Sequence, residues 1–450
     1  MNIVILAAGQ GKRMCSKLPK VLQPVGNMPM LSRVIQTAKT LGTDHNILVV
    51  VGHGGQVVVE ACKDDDLKFV EQKEQKGTGH AVMQTLPHLR ENEPTLVLYG
   101  DVPLIQSQTL KKLLEKAGDG FGLLSLKTEN PTGYGRVIRQ NGKVVGIVEQ
   151  KDASEEQKLI KEVNTGFMVL PTPYLNSWLS QIDCNNSQGE YYLTDLVGLA
   201  VRDGMEIQTV IAEDEMEVAG ANNKVQLSEL ERALQERLAL ELMNKGVRLA
   251  DSKRIDIRGN LHCENDVFID VGCVFEGNVS LGEGVSVGPY CVLKNVSIAS
   301  GTKIDAYSHF DDATIGQNVK IGPFARIRPG TILSNNVHVG NFVEIKKSSI
   351  GTGSKINHLS YIGDCDMGSS VNIGAGTITC NYDGVNKYRT TIEDDCFIGS
   401  DSQFVAPVTV KKGATVGAGS TITKTVPENT LALSRGRQIV IEGWKRPTKK

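Results

Sequence analysis

The sequence predicts an α/β protein in which two architectures follow one another along the chain. Leucine occurs 32 times in residues 1–250 but only 7 times in residues 251–450, where Ile, Val, Gly, Thr and Ser replace it. Short apolar runs alternate with helical stretches in the first part, whereas an apolar residue recurs every six positions in the second. These patterns predict a Rossmann-like, mostly parallel sheet followed by a solenoid of repeats.

Composition excludes several classes of protein. The 450 residues carry 49 basic and 51 acidic side chains, so no basic excess favours nucleic acid or an anionic membrane. No apolar run approaches the roughly 18 residues of a membrane span, and Ile3–Ala8 is too short for a secretory signal. The nine cysteines form no Cys-x-x-Cys pair, which indicates neither a zinc site nor a disulfide framework. We therefore expect a cytoplasmic protein without membrane insertion.

Strands and helices alternate in the first part. The apolar runs Ile3–Ala8, Ile47–Val51 and Thr95–Tyr99 predict strands, and Met30–Leu41 and Thr109–Lys116 have the pattern of helices. Because parallel strands buried on both faces are continuously apolar, this alternation indicates a sheet covered by helices.

An amphipathic helix is predicted between the two parts. Val225–Lys245 has leucines three or four residues apart among polar residues, at Leu227, Leu230, Leu234, Leu238 and Leu242. Gly246 follows as a stop signal. We expect a first domain over residues 1–224, a linker helix over residues 225–246, and a second domain with its C-terminal tail over residues 247–450.

A six-residue repeat fills the second part. Its lead residues include Ile269, Phe275, Leu281, Val287, Leu293, Ile315, Ile321, Ile327, Leu333, Val339, Ile345, Ile392, Ile398, Phe404, Val410, Val416 and Ile422. The period resembles the left-handed parallel β-helix of hexapeptide-repeat proteins, in which three hexads form one triangular coil. The 27 hexads that we count from Ile257 to Ile422 predict about nine coils, stacked roughly 4.8 Å apart.

Two local features interrupt or occupy this repeat. The phase is lost after Ile373, so Thr379–Thr391 is predicted to be a loop that leaves the prism. Four cysteines stand at inward positions of the repeat and are interpreted as core residues without a catalytic thiol: Cys263, Cys273, Cys291 and Cys396.

A glycine loop follows the first strand. Gly9 and Gly11 allow backbone N–H groups to approach phosphate oxygens, and Arg13 and Lys20 supply positive charge nearby. The loop is not a Walker motif, because Arg13 stands where Ser or Thr is needed, and Met14 replaces the third glycine of a dinucleotide fingerprint. By themselves the two glycines are equally compatible with an ordinary strand-to-helix turn.

A second signal comes at the end of the third strand. Tyr99–Gly100–Asp101 places a carboxylate at the carboxyl end of a parallel strand, where open α/β sheets bind ligands. Such a carboxylate suits Mg²⁺ together with substrate phosphates, although a terminal Asp is as often a turn cap.

Two cations occupy unusual positions in the repeat. Arg328 and Lys346 directly follow lead residues that are three hexads apart, which places them on one face of adjacent coils. Like charges about 5 Å apart repel unless an anion lies between them or solvent screens them. An anion site and a solvated basic ridge are equally good interpretations of this geometry.

His358 is predicted to point outward near a corner of the prism. It follows its lead residue by two places, and three hexads further on the small Ala375 lies beside it. Imidazole is suited to accept a proton at neutral pH, because its ordinary pKa is about 6.5. A lone exposed histidine is nevertheless usually a plain surface residue.

Several motifs together resemble one bacterial family. The first part contains Leu6–Met14, Tyr99–Gly100–Asp101 and Gly189–Asp195, and the second contains Asn341–Lys347 and Asn372–Gly384. The chain is similar, nearly from end to end, to the bifunctional N-acetylglucosamine-1-phosphate uridylyltransferases / glucosamine-1-phosphate N-acetyltransferases. The resemblance implies an enzyme that acetylates glucosamine 1-phosphate with acetyl-CoA and then uses UTP to form UDP-N-acetylglucosamine, a precursor of peptidoglycan and lipopolysaccharide.

The resemblance also implies site residues in the first domain. Arg13 and Lys20 would neutralise phosphate charge, and Asp101 and Asn222 would bind Mg²⁺. The residues expected to hold the nucleotide and the sugar are Leu6, Ala7, Ala8, Gly9, Lys20, Gln72, Gly77, Thr78, Tyr99, Gly100, Asp101, Gly135, Glu149, Asn164 and Asn222. One departure is Lys12, where the family usually has Thr, which adds a cation beside the loop.

In the second domain the resemblance implies an acetyltransferase site in a homotrimer. His358 would be the catalytic base, and the sugar phosphate would be bound by Arg328, Lys346, Tyr361 and Asn372. The residues expected at the acetyl-CoA site are Ala375, Asn381, Tyr382, Ser400, Ala418 and Arg435. The alternative is a sugar-1-phosphate nucleotidyltransferase of single activity, whose β-helix only trimerises the chain.

Overall fold

The computed structural model describes residues 1–9, 11–52, 55–64 and 66–449. The chain divides into two compact units, Met1–Leu234 and Gln235–Lys450. The boundary falls inside the helix that the leucine spacing predicts, which extends over Lys224–Asn244. Within the described residues, no helix is long and apolar enough to cross a membrane.

The first unit is an α/β domain. Its strands are β1 (Asn2–Leu6), β2 (Pro24–Val25), β3 (Met28–Pro29), β4 (Asn46–Gly52), β5 (Leu67–Gln72), β6 (Thr95–Tyr99), β7 (Phe121–Lys127), β8 (Arg136–Gln140), β9 (Lys143–Val148), β10 (Glu162–Leu170) and β11 (Ile207–Ala212). Its helices are α1 (Met30–Lys39), α2 (Gln56–Ala61), α3 (Thr78–Met83), α4 (Ser107–Ala117), α5 (Glu155–Lys158), α6 (Thr172–Leu179) and α7 (Asp195–Arg202), and α8 (Lys224–Asn244) contains the boundary.

The main sheet of this unit is mostly parallel, as predicted. Its order is β11-β7-β10-β6-β1-β4-β5, and β10 alone among these strands runs antiparallel to its neighbours. Side chains of β1 alternate between two cores, with Ile3 and Ile5 on one side and Val4 and Leu6 on the other, which explains the continuously apolar run. The carboxyl ends of β1 and β6 are joined by a 2.9 Å hydrogen bond from the N–H of Gly100 to the carbonyl of Leu6.

The second unit is built from short strands. They are β12 (Arg248–Leu249), β13 (Ile255–Cys263), β14 (Phe268–Ile269), β15 (Cys273–Leu281), β16 (Ser286–Val287), β17 (Val292–Ile298), β18 (Lys303–Ile304), β19 (His309–Ile315), β20 (Lys320–Ile321), β21 (Arg326–Ile327), β22 (Thr331–Leu333), β23 (His338–Asn341), β24 (Glu344–Lys346), β25 (Ser349–Ile350), β26 (Lys355–His358), β27 (Tyr361–Gly363), β28 (Cys365–Met367), β29 (Asn372–Ile373), β30 (Ile378–Cys380), β31 (Thr390–Ile392), β32 (Phe397–Ile398), β33 (Gln403–Val405), β34 (Val408–Val410), β35 (Thr415–Val416), β36 (Thr421–Ile422) and β37 (Leu431–Ala432).

These strands form a three-sided parallel β-helix, which confirms the predicted fold class. An 11-stranded sheet makes one side, and a 15-stranded sheet folds over the other two. The corner lies within the longer strands, since β19 pairs with β21 through its first half and with β22 through its second. Within the described residues, nine complete coils can be followed from β12 to β34, in agreement with the number predicted.

Four corners are one residue shorter than the six-residue repeat requires. At these corners a non-glycine residue has a positive φ of 44 to 50°, namely Asn295, Asp312, Lys347 and Asp364. The left-handed conformation reverses the chain sharply at a corner, and Asn and Asp tolerate it best after glycine. The short corners explain why the six-residue phase slips between Leu293 and Ile315.

The loop that leaves the prism is shorter than predicted. β30 continues to Cys380 and β31 begins at Thr390, so the exposed excursion starts after the buried Asn381 and ends at residue 389. Thr379 belongs to the coil because its buried Oγ1 accepts a hydrogen bond from the N–H of Gly363 at 2.7 Å. Threonine is common in loops, and the sequence does not reveal that this hydroxyl satisfies a buried backbone N–H group. The prediction therefore assigned Thr379 to the loop.

The cysteines agree with a packing role. Cys273, Cys291 and Cys396 are buried in the β-helix core and Cys263 is half-buried. Burial raises the pKa of the Cys291 thiol to about 12 and that of Cys273 to about 11, which opposes formation of a nucleophilic thiolate. All nine cysteines are free.

Candidate active sites

The glycine loop after β1 folds against Lys20. Gly11 has a φ of +61° and precedes a short 3-10 helix, Lys12–Met14, that is anchored by the buried Met14. A Cβ on Gly11 would lie 2.5 Å from the Cβ of Lys20. The absence of a side chain at Gly11 therefore allows Lys20 to approach the loop.

A cavity of about 370 Å³ opens at the carboxyl ends of β1, β5 and β6. Ten residues expected from the sequence line it: Leu6, Ala7, Ala8, Gly9, Lys20, Gln72, Gly77, Thr78, Tyr99 and Asp101. Four further lining residues were not expected: Val21, Gln75, Ala81 and Glu190. The cavity lies where parallel α/β sheets bind ligands.

The Lys20 ammonium contacts two oxygens that are distant in sequence. Its Nζ lies 2.5 Å from Asp101 Oδ2 and donates a hydrogen bond to Asn222 Oδ1 at 3.1 Å. Asn222 is positioned by its own N–H, which donates to Gln226 Oε1 at 2.8 Å, and Ala221 N–H donates to the Asp101 carbonyl. The fold therefore brings together the two residues expected to bind metal and the expected phosphate cation.

The Gly77–Thr78 segment is held by the motif at residues 189–195. Gly77 has a φ of +107°, and a Cβ there would lie 2.6 Å from the Tyr191 carbonyl. Thr78 Oγ1 accepts a hydrogen bond from Leu193 N–H at 3.1 Å, and Gln72 Nε2 donates to the Gly77 carbonyl at 3.0 Å. The motif thus shapes one wall of the cavity.

Gly135, Glu149 and Asn164 lie together but do not line this first cavity. Asn164 N–H donates to the Gly135 carbonyl at 2.8 Å, and a Cβ on Gly135 would lie 3.3 Å from Glu149 Oε1. Glu149 borders a second cavity of about 260 Å³ and accepts a hydrogen bond from Thr194 Oγ1 at 3.1 Å. Burial raises the pKa of Glu149 above its ordinary 4.5.

Among the charged residues of the loop, only Lys20 enters the described lining of the first cavity. Arg13 and Lys12 are exposed on the short helix. Gln75, which sequence reasoning missed, donates from Nε2 to the Ala8 carbonyl at 2.5 Å and carries no recognisable sequence signal. Glu190 could have been found, since it lies inside the Gly189–Asp195 motif.

In the second unit, the structure places Arg328 and Lys346 on adjacent coils as predicted. The Arg328 N–H donates to the carbonyl of Ile345, the residue before Lys346, at 2.8 Å. Each cation is paired with a carboxylate that sequence reasoning did not anticipate. Arg328 Nη1 donates to Glu344 Oε1 at 2.6 Å, and Lys346 Nζ donates to Asp364 Oδ2 at 3.3 Å.

The excursion at residues 382–389 begins beside this pair. The buried Asn381 donates from Nδ2 to Asp364 Oδ2, the oxygen that also accepts from Lys346. From the same loop, Lys387 approaches Lys346, and the side-chain contact with Lys346 together with its charge lowers the pKa of Lys387. Lys387 was missed because only the folded loop brings it to the cations.

Tyr361 and Asn372 continue the same region of the β-helix. Tyr361 pairs with Glu344 on the preceding coil, and Asn372 pairs with Lys355 on the preceding coil. Both side chains are half-buried. Tyr361 therefore lies one coil from Glu344, the partner of Arg328. Asn372 lies one coil from β26, the strand that ends at His358.

His358 lies exposed at a corner, as predicted. Its Nδ1 is 3.3 Å from Asn341 Oδ1, and the two residues are paired on adjacent strands. The register Ile356↔Ile373 places Ala375 at the corresponding position of the following coil. Among the described residues, no bulky side chain at that position of the following coil covers the imidazole.

Small residues continue this corner beyond Ala375. The registers Ile373↔Ile398 and Ile398↔Val416 place Ser400 and Ala418 at the same position of successive coils. Arg435 Nη1 donates to the Ala418 carbonyl at 2.9 Å, and Tyr382 is exposed on the excursion. Ala375, Ser400 and Ala418 thus continue the corner that begins at His358, and Arg435 contacts this corner from a residue beyond the last strand.

In the described part of the chain, no group of three or more His, Cys, Asp or Glu side chains could hold a metal ion. Asp101 and Asn222 offer two oxygens to one cation. Two protein oxygens completed by phosphates suit Mg²⁺, whereas structural zinc requires four protein ligands.

Comparisons with known families agree with the two parts of the chain. A MobA-like NTP transferase domain matches residues 3–141, a GMPPB C-terminal domain matches residues 257–350, and a hexapeptide repeat of succinyl-transferase matches residues 389–424. The fold and sites therefore define a nucleotidyltransferase joined to a hexapeptide-repeat acyltransferase.

Full-length relatives narrow this class to one family. The chain is 56% identical to the "Bifunctional protein GlmU" of Cupriavidus pinatubonensis, over 100% of this chain and 99% of the relative. It is 54% identical to that of Herminiimonas arsenicoxydans, again over 100% and 99%, and 56% identical to that of Burkholderia vietnamiensis, over 100% of both.

The chain belongs to the GlmU family. It is a bifunctional enzyme with uridylyltransferase and acetyltransferase activity, which confirms the class predicted from the motifs. Its substrates are small molecules and include a nucleotide.

Proposed function

We propose that the first unit transfers UMP from UTP to N-acetylglucosamine 1-phosphate, and that the second transfers acetyl from acetyl-CoA to glucosamine 1-phosphate. The observation that carries this proposal is that each unit has its own cations and its own reactive group. Lys20 and Asp101 meet in the first unit, and in the β-helix Arg328 and Lys346 lie on the side of the prism that follows the exposed corner at His358.

In the uridylyl step, the chain mainly positions phosphates and neutralises charge. A phosphate oxygen of the sugar attacks the α-phosphorus of UTP, forming a P–O bond while pyrophosphate departs with the electrons of the broken bond. Backbone groups of Leu6–Gly9 cradle the phosphates, and Lys20 and Arg13 neutralise them. Glu149 and Asn164 hold the sugar through its hydroxyl groups.

Asp101 and Asn222 would hold Mg²⁺ in this site. Their oxygens already accept hydrogen bonds from one cation, the Lys20 ammonium, so their placement and charge fit a cation. When bound, Mg²⁺ withdraws charge from the phosphates to which it is coordinated. Metal use is therefore assigned to the uridylyl step.

In the acetyl step, His358 takes a proton from the 2-amino group of the sugar. The amine nitrogen attacks the thioester carbonyl, the C–N bond forms, and the C–S bond breaks to release the CoA thiolate. If Nδ1 carries the proton that faces Asn341 Oδ1, 3.3 Å away, Nε2 is the free base. Arg328, Lys346, Tyr361 and Asn372 bind the sugar phosphate.

We also propose that the chain is a homotrimer. Four stacked aromatic side chains, here called the aromatic ridge, occupy one corner of successive coils: Tyr290, Tyr307, Phe324 and Phe342. They are 44 to 54% exposed in the single chain. An apolar ridge of this kind is typical of a surface buried between subunits.

A cytoplasmic location follows as part of the proposal. Its support is that UTP and acetyl-CoA are the substrates and that all nine cysteines are free thiols. The product would supply peptidoglycan and lipopolysaccharide precursors.

Mass spectrometry of reaction mixtures tests the two activities. The purified chain is incubated with glucosamine 1-phosphate, acetyl-CoA, UTP and Mg²⁺, and each component is omitted in turn. UDP-N-acetylglucosamine is expected only from the complete mixture. If N-acetylglucosamine 1-phosphate is converted but glucosamine 1-phosphate is never acetylated, the β-helix is an oligomerisation module.

The variant His358→Ala assigns the acetyl step to one residue. Loss of a general base is expected to reduce acetyl transfer by roughly 100-fold or more, while uridylyl transfer and oligomer mass persist. Retention of acetyl transfer would show that His358 is an incidental surface residue.

A further inference from the structure

Lys20 occupies a position that a divalent cation would need. Its Nζ lies 2.5 Å from Asp101 Oδ2 and 3.1 Å from Asn222 Oδ1. The side chains of Lys20 and Asp101 are only 13% and 17% exposed, so solvent screens this contact weakly. One ammonium therefore uses both oxygens assigned to the metal.

We propose that Lys20 and the divalent metal exclude one another at Asp101 and Asn222, so that metal enters only when the nucleotide triphosphate receives the ammonium. This inference rests on the proposed metal site. It makes Lys20 a positioning residue for metal entry as well as a phosphate ligand.

The exclusion follows from size and charge. Mg²⁺ binds oxygen at about 2.0–2.1 Å, so a metal that touches both oxygens would lie within a few ångström of an ammonium left in place. Two cations at that separation repel by several kcal/mol even at moderate effective dielectric. The Asp101 carboxylate cannot neutralise the ammonium and the metal together, because it contributes one negative charge.

The side chain can move while its backbone stays in place. Lys20 begins a short 3-10 helix, Lys20–Leu22, whose Val21 and Leu22 are buried and whose carbonyl at Lys20 accepts from Gln23 N–H. On the loop side, the Cε of Lys20 lies 3.9 Å from where a Cβ on Gly9 would be. Gly9 lines the cavity and belongs to the segment proposed to cradle the phosphates, so a bound triphosphate would draw the ammonium toward it.

The nucleotide therefore acts as the second partner that frees the metal site. Without it, displacement of the ammonium leaves a partly buried charge without a counter-ion, which opposes metal binding. With it, triphosphate oxygens accept the ammonium, and metal and nucleotide bind with positive coupling.

Mn²⁺ titration of the free enzyme tests the inference, with the loss of the free-ion EPR signal as readout and no nucleotide present. Lys20→Met and Lys20→Gln are expected to bind Mn²⁺ at least about tenfold more tightly than the unmodified enzyme, because the competing cation is gone. The control Lys17→Met removes the same charge from an exposed position of the same loop and is expected to leave the dissociation constant within about twofold. Circular dichroism verifies that each variant is folded.

The double variant Lys20→Met/Asp101→Asn distinguishes a failure of the mutual exclusion from a failure of the proposed metal site. It is expected to lose the gain in Mn²⁺ affinity. If both single Lys20 variants bind no more tightly than the unmodified enzyme, or if Lys17→Met gains equally, mutual exclusion is wrong. If the gain persists in the double variant, the metal is not at Asp101, and the proposed metal site itself fails.

Discussion

A single missing side chain at Gly11 determines where Lys20 can lie. Gly11 has a φ of +61°, and its Cβ position is 2.5 Å from Lys20 Cβ. Alanine at this position is strained by about 1–2 kcal/mol through its backbone alone and would also push Lys20 away from the cavity. The backbone conformation at position 11 therefore affects where the Lys20 charge lies in the cavity.

The variant Gly11→Ala is expected to lower kcat/KM of uridylyl transfer by roughly 10- to 100-fold, because misplacement of a charged group is amplified in the rate. The matched control is Gly204→Ala, which has a φ of +81° with no heavy atom within 4 Å of the added Cβ. Thermal unfolding should show comparable destabilisation of both. Equal loss of activity in the control would mean that Lys20 is not displaced.

Glu149 shows how burial couples stability to pH. Burial raises the pKa of this carboxyl above its ordinary 4.5, so the folded state binds the proton more tightly than the unfolded state. Stability therefore rises as pH falls through the raised pKa, and the ionised carboxylate reduces stability at pH 7.

The variant Glu149→Gln is accordingly expected to melt at a higher temperature than the unmodified enzyme at pH 7, with the difference disappearing in acid. Its kcat/KM for N-acetylglucosamine 1-phosphate is expected to fall by roughly 10- to 100-fold, because the sugar loses a charged acceptor. The acid limb of the uridylyl pH profile should also disappear. A variant that melts lower at pH 7 and keeps full activity would contradict both roles.

At the scale of elements, the excursion after β30 is the loop of the β-helix that contains part of the proposed acetyl-CoA site. It is anchored at both ends, by Asn381 to Asp364 and by Arg389 to both carboxylate oxygens of Asp366. The anchors hold Tyr382 and Lys387 in a loop that is otherwise exposed. Ordering of this loop is therefore expected to contribute to the proposed acetyl-CoA site.

Arg389→Leu is expected to raise KM for acetyl-CoA by about tenfold, since an unanchored loop must be ordered when the ligand binds. Uridylyl transfer, measured in the same preparation, should not change. Lys411→Met serves as the control, because it removes a similar surface ion pair, Lys411 with Glu393 at 2.7 Å, away from the excursion. A similar KM in both variants would exclude an anchoring role for Arg389.

At the scale of the whole molecule, the aromatic ridge points to assembly. Its four residues have positive φ values of 55 to 59°, a conformation that is uncommon for bulky side chains. Ring centroids of neighbouring coils are 5.0 to 5.4 Å apart. An exposed stack kept in a strained conformation is best explained by burial against other copies of the chain.

Phe324→Asp is expected to convert the proposed trimer to monomers at micromolar concentration, because a charge would be buried in an apolar contact. Light scattering after size-exclusion chromatography measures the mass. The control is Phe397→Asp, at a phenylalanine that is equally exposed, at 53%, but lies outside the ridge. A persistent trimer in Phe324→Asp would place the interface elsewhere.

The two architectures were predictable because each depends on a local period. Continuous apolar runs identified β1, β4 and β6, and the six-residue spacing identified the coils and their number. The short corners at Asn295, Asp312, Lys347 and Asp364 were not predictable, because left-handed residues also occur at full-length corners and composition does not distinguish the two. Thr379 was assigned to the loop for a similar reason, since a hydropathy pattern does not reveal that its hydroxyl accepts a buried hydrogen bond.

By itself, the sequence determined the fold class, the enzyme family and the position of each motif along the chain, because these depend on periodicity and on neighbouring residues. Only the tertiary structure decided which charges meet. Strand order, coil register and a folded loop bring together charges from distant parts of the chain. These contacts are Lys20 with Asp101 and Asn222, Arg328 with Glu344, and Lys346 with Asp364 and Lys387. Such contacts join residues far apart in sequence, so no local pattern records them.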